Sequence, residues 1–453
     1  MTASAAAPEV NVPALIDQQK IGAFQIRVAL LCAAVVFMDG FDAQAIGYVA
    51  PTISKAWNLK PGELGPVFSA GLFGLMLGAL GFSPLADRFG RKPIIIFCTL
   101  WFGITSLLTV TAGSTTSLFF WRFITGLGLG GAMPNPIALT CEYAPQRHRA
   151  TMIMVMFIGF SLGSAVGGAI AAQLVPSYGW QSVFWLGGIF PILLAPILMF
   201  GLPESIRLLS LRGTKDDYVA RLLKAINPTL QFAPGSRFIA PEEHPEGFPV
   251  QHLFTEERAL ATLLIWVMFF TNLLVIYFCA TWLPTVINNT GVSVRLAVIA
   301  TALFQVGGIV GTLVLAVLIE RFGPYRVLAV AYFGAAILIA AIGQAGSAIE
   351  LIIPAVFGAG FCVVGAQIGA NALTATFYPT FIRSTGVGWA LGIGRIGSII
   401  GPLLGGMMLA LQWYIPSIFF AGAVPVLIAA VAVFALGRLP KTAKEGASAV
   451  PVT

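Results

Sequence analysis

Apolar residues run along this chain in long unbroken blocks, not with the alternation of water-facing strands or one-sided helices. Blocks of about 20 residues, enough for a helix to cross a roughly 30 Å hydrocarbon layer, fall near 25–50, 62–84, 93–112, 117–141, 150–172, 182–202, 258–283, 296–318, 327–345, 350–376, 384–409 and 416–437. They predict twelve transmembrane helices. Gly and Pro, 50 and 28 in the chain, recur inside the blocks, which lipid-embedded helices accept because small residues let neighbouring backbones approach. A polar stretch divides the blocks six and six. The expected plan is an all-α integral membrane protein with a tail at 1–24, a six-helix half at 25–202, a linker at 203–257, a second half at 258–437 and a tail at 438–453. The opening of the linker, LPESIRLL (Leu202 to Leu209), is expected to cap the sixth helix. A linker of this length is too short to bury a core of its own.

Composition excludes the water-soluble alternatives. Of 453 residues 58% are apolar and 9% charged, against about 25% charged in soluble domains. A secreted domain, an ordinary nucleic-acid binder and a disordered scaffold are ruled out. The net charge of +7 is explained by where the basic residues sit. Twenty of the 25 Lys and Arg flank the blocks on the side of the N-terminus, among them Arg88, Arg91, Lys92 and seven in 203–258. The opposite side holds only Lys55, Lys60 and Arg295. Cytoplasmic loops carry such an excess, so both termini are expected in the cytoplasm and no nucleic-acid partner is needed. The first 24 residues are polar and Ala-rich and predict no cleavable signal. The five cysteines lie in or beside apolar blocks without metal-type spacing, so neither a metal site nor a cofactor is expected.

The halves repeat one another at an offset of 233 or 234 residues. LADRFGRKPII (Leu85 to Ile95) meets LIERFGPYRVL (Leu318 to Leu328), Pro51-Thr52 meets Pro284-Thr285, and the Pro145/Arg149/Thr151 spacing recurs as Pro379/Arg383/Thr385. Such duplication marks transporters built from repeats. The LADRFGRK loop with its second copy, and RxxxGxGxG in the fourth block (Arg122, Gly126, Gly128, Gly130), resemble the major facilitator superfamily. MDGFDAQAIGYVAP and TGLGLGGAMPNPIAL resemble, within it, the aromatic acid:proton symporters, carriers of 4-hydroxybenzoate, protocatechuate, benzoate and relatives. The resemblance implies a major facilitator fold of two pseudo-symmetric six-helix halves in the bacterial cytoplasmic (inner) membrane. It also implies import of a small aromatic carboxylate with a proton by alternating access, with a monomer as the default state.

Ionisable groups inside the spans cost roughly 2.5–3.5 kcal/mol each on insertion scales, so each needs a reason. Asp39 and Asp42 lie three apart in the first span, Arg122 in the fourth and Arg395 in the eleventh; no His or Lys lies in a span. A proton crossing here must then ride on a carboxylate. Burial and mutual repulsion oppose two simultaneous negative charges on Asp39 and Asp42, so one of them can take up and release a proton; alternatively, one merely ties the first helix to a neighbour. Arg395 lies near the bilayer midplane, where a guanidinium offers a planar fork for a carboxylate. It either receives the cargo's carboxylate or holds a salt bridge to Asp39 or Asp42. For Arg122 the resemblance favours helix packing and proton coupling over cargo contact. Asp39 falls opposite Asn272 in the repeat, Asp42 opposite Val275 and Arg395 opposite Ser161, so the shared fold does not require these charges.

An aromatic cargo also needs ring partners and a few hydrogen-bonding groups in an apolar site. By depth, the candidates are Phe37, Phe41, Tyr48, Tyr277, Phe278, Phe304 and Trp389, with Asn135, Asn272, Gln305, Gln367 and Asn371 as polar neighbours. Trp389 precedes Arg395 by six residues, roughly 9 Å along a helix axis, which suits a ring stacked on the Trp with its carboxylate at the Arg. Asp87, Arg88 and Arg91, with Glu320 and Arg321 in the second copy, are expected to form gate loops, and Glu142 and Arg383 to latch them. The rival readings are a symporter of non-aromatic organic acids or sugars, and a membrane sensor of aromatic acids without flux. No nucleophile stands beside a His and no phosphate cradle is present, so an enzyme is not expected; GLGLGG reads as a helix-packing face.

Overall fold

The computed structural model describes residues 9–213, 215–233, 235–240, 253–254, 258–378 and 383–439; for residues 150, 154, 383 and 384 it describes the backbone alone. Eleven helices are long and apolar enough to cross a membrane. In the first half they are α2 (Ala23–Ala56), α3 (Gly65–Phe89), α4 (Arg91–Thr109), α7 (Gln146–Tyr178) and α8 (Gln181–Gly201). In the second half they are α11 (Ala259–Asn289), α12 (Val294–Phe322), α13 (Pro324–Gln344), α14 (Ile349–Phe377), α15 (Arg383–Ala410) and α16 (Ile415–Arg438). The remaining crossing, fourth in chain order, is made in two pieces, α5 (Thr115–Ala132) and α6 (Pro134–Tyr143). Pro134 and Pro136 bring no N–H to the helix, so it breaks at Met133. The side-chain amide of Asn135 donates to the Gly131 carbonyl at 2.9 Å, satisfying one group at the break.

The same pairings build each half. In the first, α2 packs on α7, α3 on α5 and α4 on α8; in the second, α11 packs on α15, α12 on α14 and α13 on α16. The duplication seen in the sequence is thus a duplication of packing. The glycines of the fourth crossing serve that packing: a Cβ at Gly126 or Gly130 would run into the α3 backbone at Gly71 or Leu75.

Between the halves, α12 packs on α7, α15 on α3 and α11 on α2. The contacts cluster toward the end of the bundle away from the chain termini. There Ser69 Oγ donates to the Ile399 carbonyl at 2.8 Å, and the Phe68 and Trp282 rings meet edge to face at 4.9 Å. Gly47 lets α2 approach α11 so closely that a Cβ would stand 2.7 Å from the Ala280 carbonyl oxygen. Among the described residues, α4, α5 and α6 make no comparable packing against the second half. Among the described residues, the bundle is sealed at the far end and parted at the end carrying the termini.

A small cap covers the first half at that parted end. It comprises β1 (Glu9–Asn11), α1 (Val12–Asp17), α9 (Ile206–Arg212), α10 (Asp216–Ile226) and β2 (Arg237–Ile239), with β1 and β2 paired in parallel. Val12, Ile16, Leu209, Val219, Leu223 and Phe238 join one apolar cluster with Val28, Ile95, Leu139 and Met156 of the crossing helices. Leu202 caps the sixth crossing as expected, its N–H donating to the Leu198 carbonyl at 3.0 Å, while the residues after it serve other helices. Glu204 accepts hydrogen bonds from the Arg91 and Lys92 amides at 2.8 and 3.2 Å, opening α4, and Ser205 Oγ accepts from Leu208 N at 3.0 Å, opening α9. The end of α8 presents carbonyls, which a carboxylate cannot satisfy; the start of α4 presents free amides, which it can.

Replacing Gly47 by Leu should prise open the far seam, because the side chain has no room against Ala280. The expected readout is faster reaction of a cysteine introduced at Ser69 with a membrane-impermeant thiol reagent, relative to the same cysteine with Gly47 intact.

Candidate functional site

The three expected polar spans deliver four charged side chains to the middle of the bundle, and the structure sorts them into two unlike sets. Asp42 and Arg122 form a closed ion pair inside the first half. Nη1 of Arg122 lies 2.9 Å from Asp42 Oδ2, with the two side chains 3% and 0% exposed. Arg122 Nη2 also donates to the Asp42 carbonyl at 3.1 Å, Ser106 Oγ of α4 donates to Asp42 Oδ1 at 3.0 Å, and the guanidinium lies over the Phe184 ring of α8 at 5.6 Å. Four helices are stitched by this cluster. A buried pair with charge-assisted hydrogen bonds on both partners is held, whereas removal of either member leaves an isolated charge in low dielectric.

Asp39 and Arg395 form the second set, and neither has a closed partner. Asp39 is fully buried, and neither carboxylate oxygen has a hydrogen-bond partner among the described residues. The charges acting on it are those of Arg395 and Asp42. Arg395 is half-buried and pairs with no carboxylate among the described residues. Its Nη1 donates to the Tyr277 hydroxyl of α11 at 3.2 Å and its Nη2 reaches Met133 Sδ at 3.6 Å. Met133 is the residue at the break in the fourth crossing, so this guanidinium touches both halves. The permanent salt bridge weighed for Arg395 is not formed; Asp42 is taken by Arg122, and Asp39 stands open. A pocket of about 20 Å³, room for about one water, is lined by Arg122, Tyr277 and Thr281 of this same region.

The uncharged candidates divide in the same way. Asn272 Nδ2 donates to Gln367 Oε1 at 2.7 Å and Gln367 Nε2 to Asn371 Oδ1 at 3.2 Å, an amide ladder from α11 to α14. The oxygens Asn272 Oδ1 and Asn135 Oδ1 are buried without a donor among the described residues. Gln305 is buried in α12. Phe41 and Tyr48 belong to the packed core instead: Phe41 lies against Gly167 of α7, and the Tyr48 hydroxyl donates to the Ser164 carbonyl at 2.9 Å. Trp389 is not beside Arg395. It is 43% exposed and stacks on Trp266 of α11 with ring centres 5.7 Å apart. Six residues at about 100° each turn the two side chains roughly 120° apart on the helix, which the distance along the axis alone concealed.

In the gate region, Arg91 pairs with Asp87 at 3.3 Å and with Glu142 at 2.6 Å, and Ser205 Oγ donates to Glu142 at 2.6 Å. The amides at the start of α4, beside Asp87, are taken by Glu204. Arg88 and Arg321 lie over the neighbouring Phe89 and Phe322 rings, and Glu320 has no ion pair among the described residues. The Arg383 side chain lies outside the described residues. Ser106 and Met133 enter the site without having been singled out; a lone Ser or Met in a span carries no signal until its neighbours are known.

Twelve crossings in two duplicated halves, parted at one end around central charged groups, define a multi-pass membrane transporter. The family model described as Major Facilitator Superfamily matches residues 32–349 and 265–452. The 4-hydroxybenzoate transporter PcaK of Pseudomonas putida is 40% identical over 432 residues, covering 94% of this chain and 96% of that protein. A gallate transporter of Pseudomonas putida is 40% identical over 430 residues, covering 95% of each. Among solved structures, a D-xylose-proton symporter superposes with a TM-score of 0.73 at 16% identity, over 93% of this chain and all of that one, and shares the fold. The chain belongs to the Major Facilitator Superfamily, and within it to the aromatic acid transporter family.

The two sets predict unequal responses in thermal unfolding of the detergent-solubilised protein. Asp42→Ala should lose about 3–5 kcal/mol by stranding Arg122, a clear fall in the melting temperature. Asp39→Asn, which breaks no hydrogen bond among the described residues, should cost much less than Asp42→Ala.

Proposed function

We propose that this protein imports an aromatic carboxylate together with a proton across the cytoplasmic membrane, by rocking its two halves about the central site. The observation that carries this reading is the open pair at the bundle centre: a buried carboxylate, Asp39, without a donor, and a guanidinium, Arg395, without a carboxylate. The names of the relatives support an aromatic acid as cargo. The excess of Lys and Arg on the side of the termini supports cytoplasmic tails, and the parted end then faces the cytoplasm.

The coupling follows from charge balance. In the empty carrier, Asp39 as an anion and Arg395 as a cation sum to zero. In the loaded carrier, a proton neutralises Asp39 and the cargo's carboxylate neutralises Arg395, and the sum is zero again. A carrier holding only the proton has an uncompensated cation, and one holding only the acid has an uncompensated anion, each at a depth where one charge costs several kcal/mol. The halves can rock when both passengers or neither are aboard. Asp42 and Arg122 remain paired in both states and hold the first half rigid. With one proton per monoanion the step moves no net charge, so the membrane potential, worth about 2.3 kcal/mol per charge per 100 mV, neither opposes nor drives it.

Proteoliposomes with an imposed pH gradient test this directly. Wild type should accumulate labelled 4-hydroxybenzoate and co-transport acid. Asp39→Asn should still exchange the labelled acid across the membrane but lose gradient-driven accumulation. Arg395→Ala should raise KM about ten- to hundredfold, the loss of a charge-assisted hydrogen-bond pair. Acid-free uptake would remove the proton, transport of sugars without acids would remove the cargo, and an unchanged KM in Arg395→Ala would remove the carboxylate contact.

A further inference from the structure

A second cavity lies away from the centre. A space of about 290 Å³ lies between the cap and the first half, at the parted end. Its apolar walls are Val12, Pro13 and Ile16 of α1 and Ile206 of α9, and its polar lining is Arg91, Glu142, Arg149 and Arg207. Arg91 is paired with Asp87 and Glu142, and Arg207 is also engaged, so among the described residues Arg149 is the guanidinium left to a ligand. Glu142 is already engaged by Arg91 and Ser205, each at 2.6 Å. Arg149 is not matched: its Nε is buried with no hydrogen-bond partner among the described residues, and its Nη2 reaches only the Ala144 carbonyl at 3.5 Å. A buried guanidinium nitrogen without an acceptor costs free energy that an anion in the cavity would recover.

We infer that this cavity is a second binding site, for a small carboxylate with an apolar body. The aliphatic wall of α1 and α9 requires an apolar body, and the guanidinium lining requires a planar anion that accepts paired hydrogen bonds. The volume is at the small end of ligand sites, about 300–1,000 Å³, and takes one ring with its carboxylate but not an acyl chain or a nucleotide. This rests on the reading above, because the acid released at the parted end has this chemistry.

Titration calorimetry of the full-length protein in detergent with 4-hydroxybenzoate should find two sites per chain. Arg149→Gln should abolish one and Arg395→Gln the other, and Ala138→Phe, which fills the cavity without touching a charge, should reproduce Arg149→Gln. A single site in wild type, abolished by Arg395→Gln alone, overturns this inference and leaves the cargo reading standing. Equal occupation of the cavity by inorganic phosphate overturns the apolar carboxylate as its ligand. No binding at either site overturns both readings.

Discussion

Charge inside hydrocarbon must be matched, and that one constraint orders this molecule. Four charged groups lie deep in the spans, and the first half consumes two of them in a closed cluster in which every helix that could lose by it contributes something: Asp42 from α2, Ser106 from α4, Arg122 from α5 and Phe184 from α8. Such a cluster is rigid because no member can leave without stranding another. The remaining two, Asp39 and Arg395, are left incompletely satisfied. Incompleteness at this depth is expensive, and a chain carries it only where something else arrives to complete it.

The packing places that incompleteness where movement can use it. The halves are each bound by three repeated helix pairings, whereas between them the close contacts gather at the far end, around Gly47, Ser69 and Trp282. Arg395 sits at the boundary between those regimes, touching Tyr277 of its own half and Met133 of the other. A change in charge there acts on the seam without having to be transmitted. The cap, by contrast, rides on the first half alone, fastened by Asp17, which accepts from the Gln146 amide at 2.7 Å.

Much of this was legible in the sequence because lipid restricts what a span can be. Apolar block length located the crossings, and the rarity of intramembrane charge isolated Asp39, Asp42, Arg122 and Arg395 as the groups needing explanation. Pairing was not legible. That Asp42 closes on Arg122 while Asp39 stays open depends on which of two faces, about 60° apart on α2, points at α5, and neither spacing nor composition carries that angle. The same blindness misplaced Trp389, since separation along a helix was read without rotation about it. The break at Met133 was visible as Pro134 and Pro136, yet its meaning, a sulfur set against Arg395, belongs to the second half. The cap was missed because β1 and β2 are three residues each and more than 200 positions apart, so their alliance leaves no local pattern.

The repeat makes the final step possible. Asp39 and Asn272 occupy matching positions, and both are buried on the first helix of their half. Asn272 is held in an amide ladder with Gln367 and Asn371, an arrangement of neutral dipoles that is equally stable whatever the state of the site. Duplication thus preserved a polar group at this depth in both halves and made it titratable in one. In the proposed cycle a proton therefore changes the charge of the first half's face and not of the second's. The guanidinium that feels this change stands on the second half. Attraction across the boundary is then strong when Asp39 is ionised and weak when it is protonated. A symmetric pair of carboxylates or of amides would lack that sign-dependent pull, so the coupling resides in the departure from symmetry while the fold resides in the symmetry.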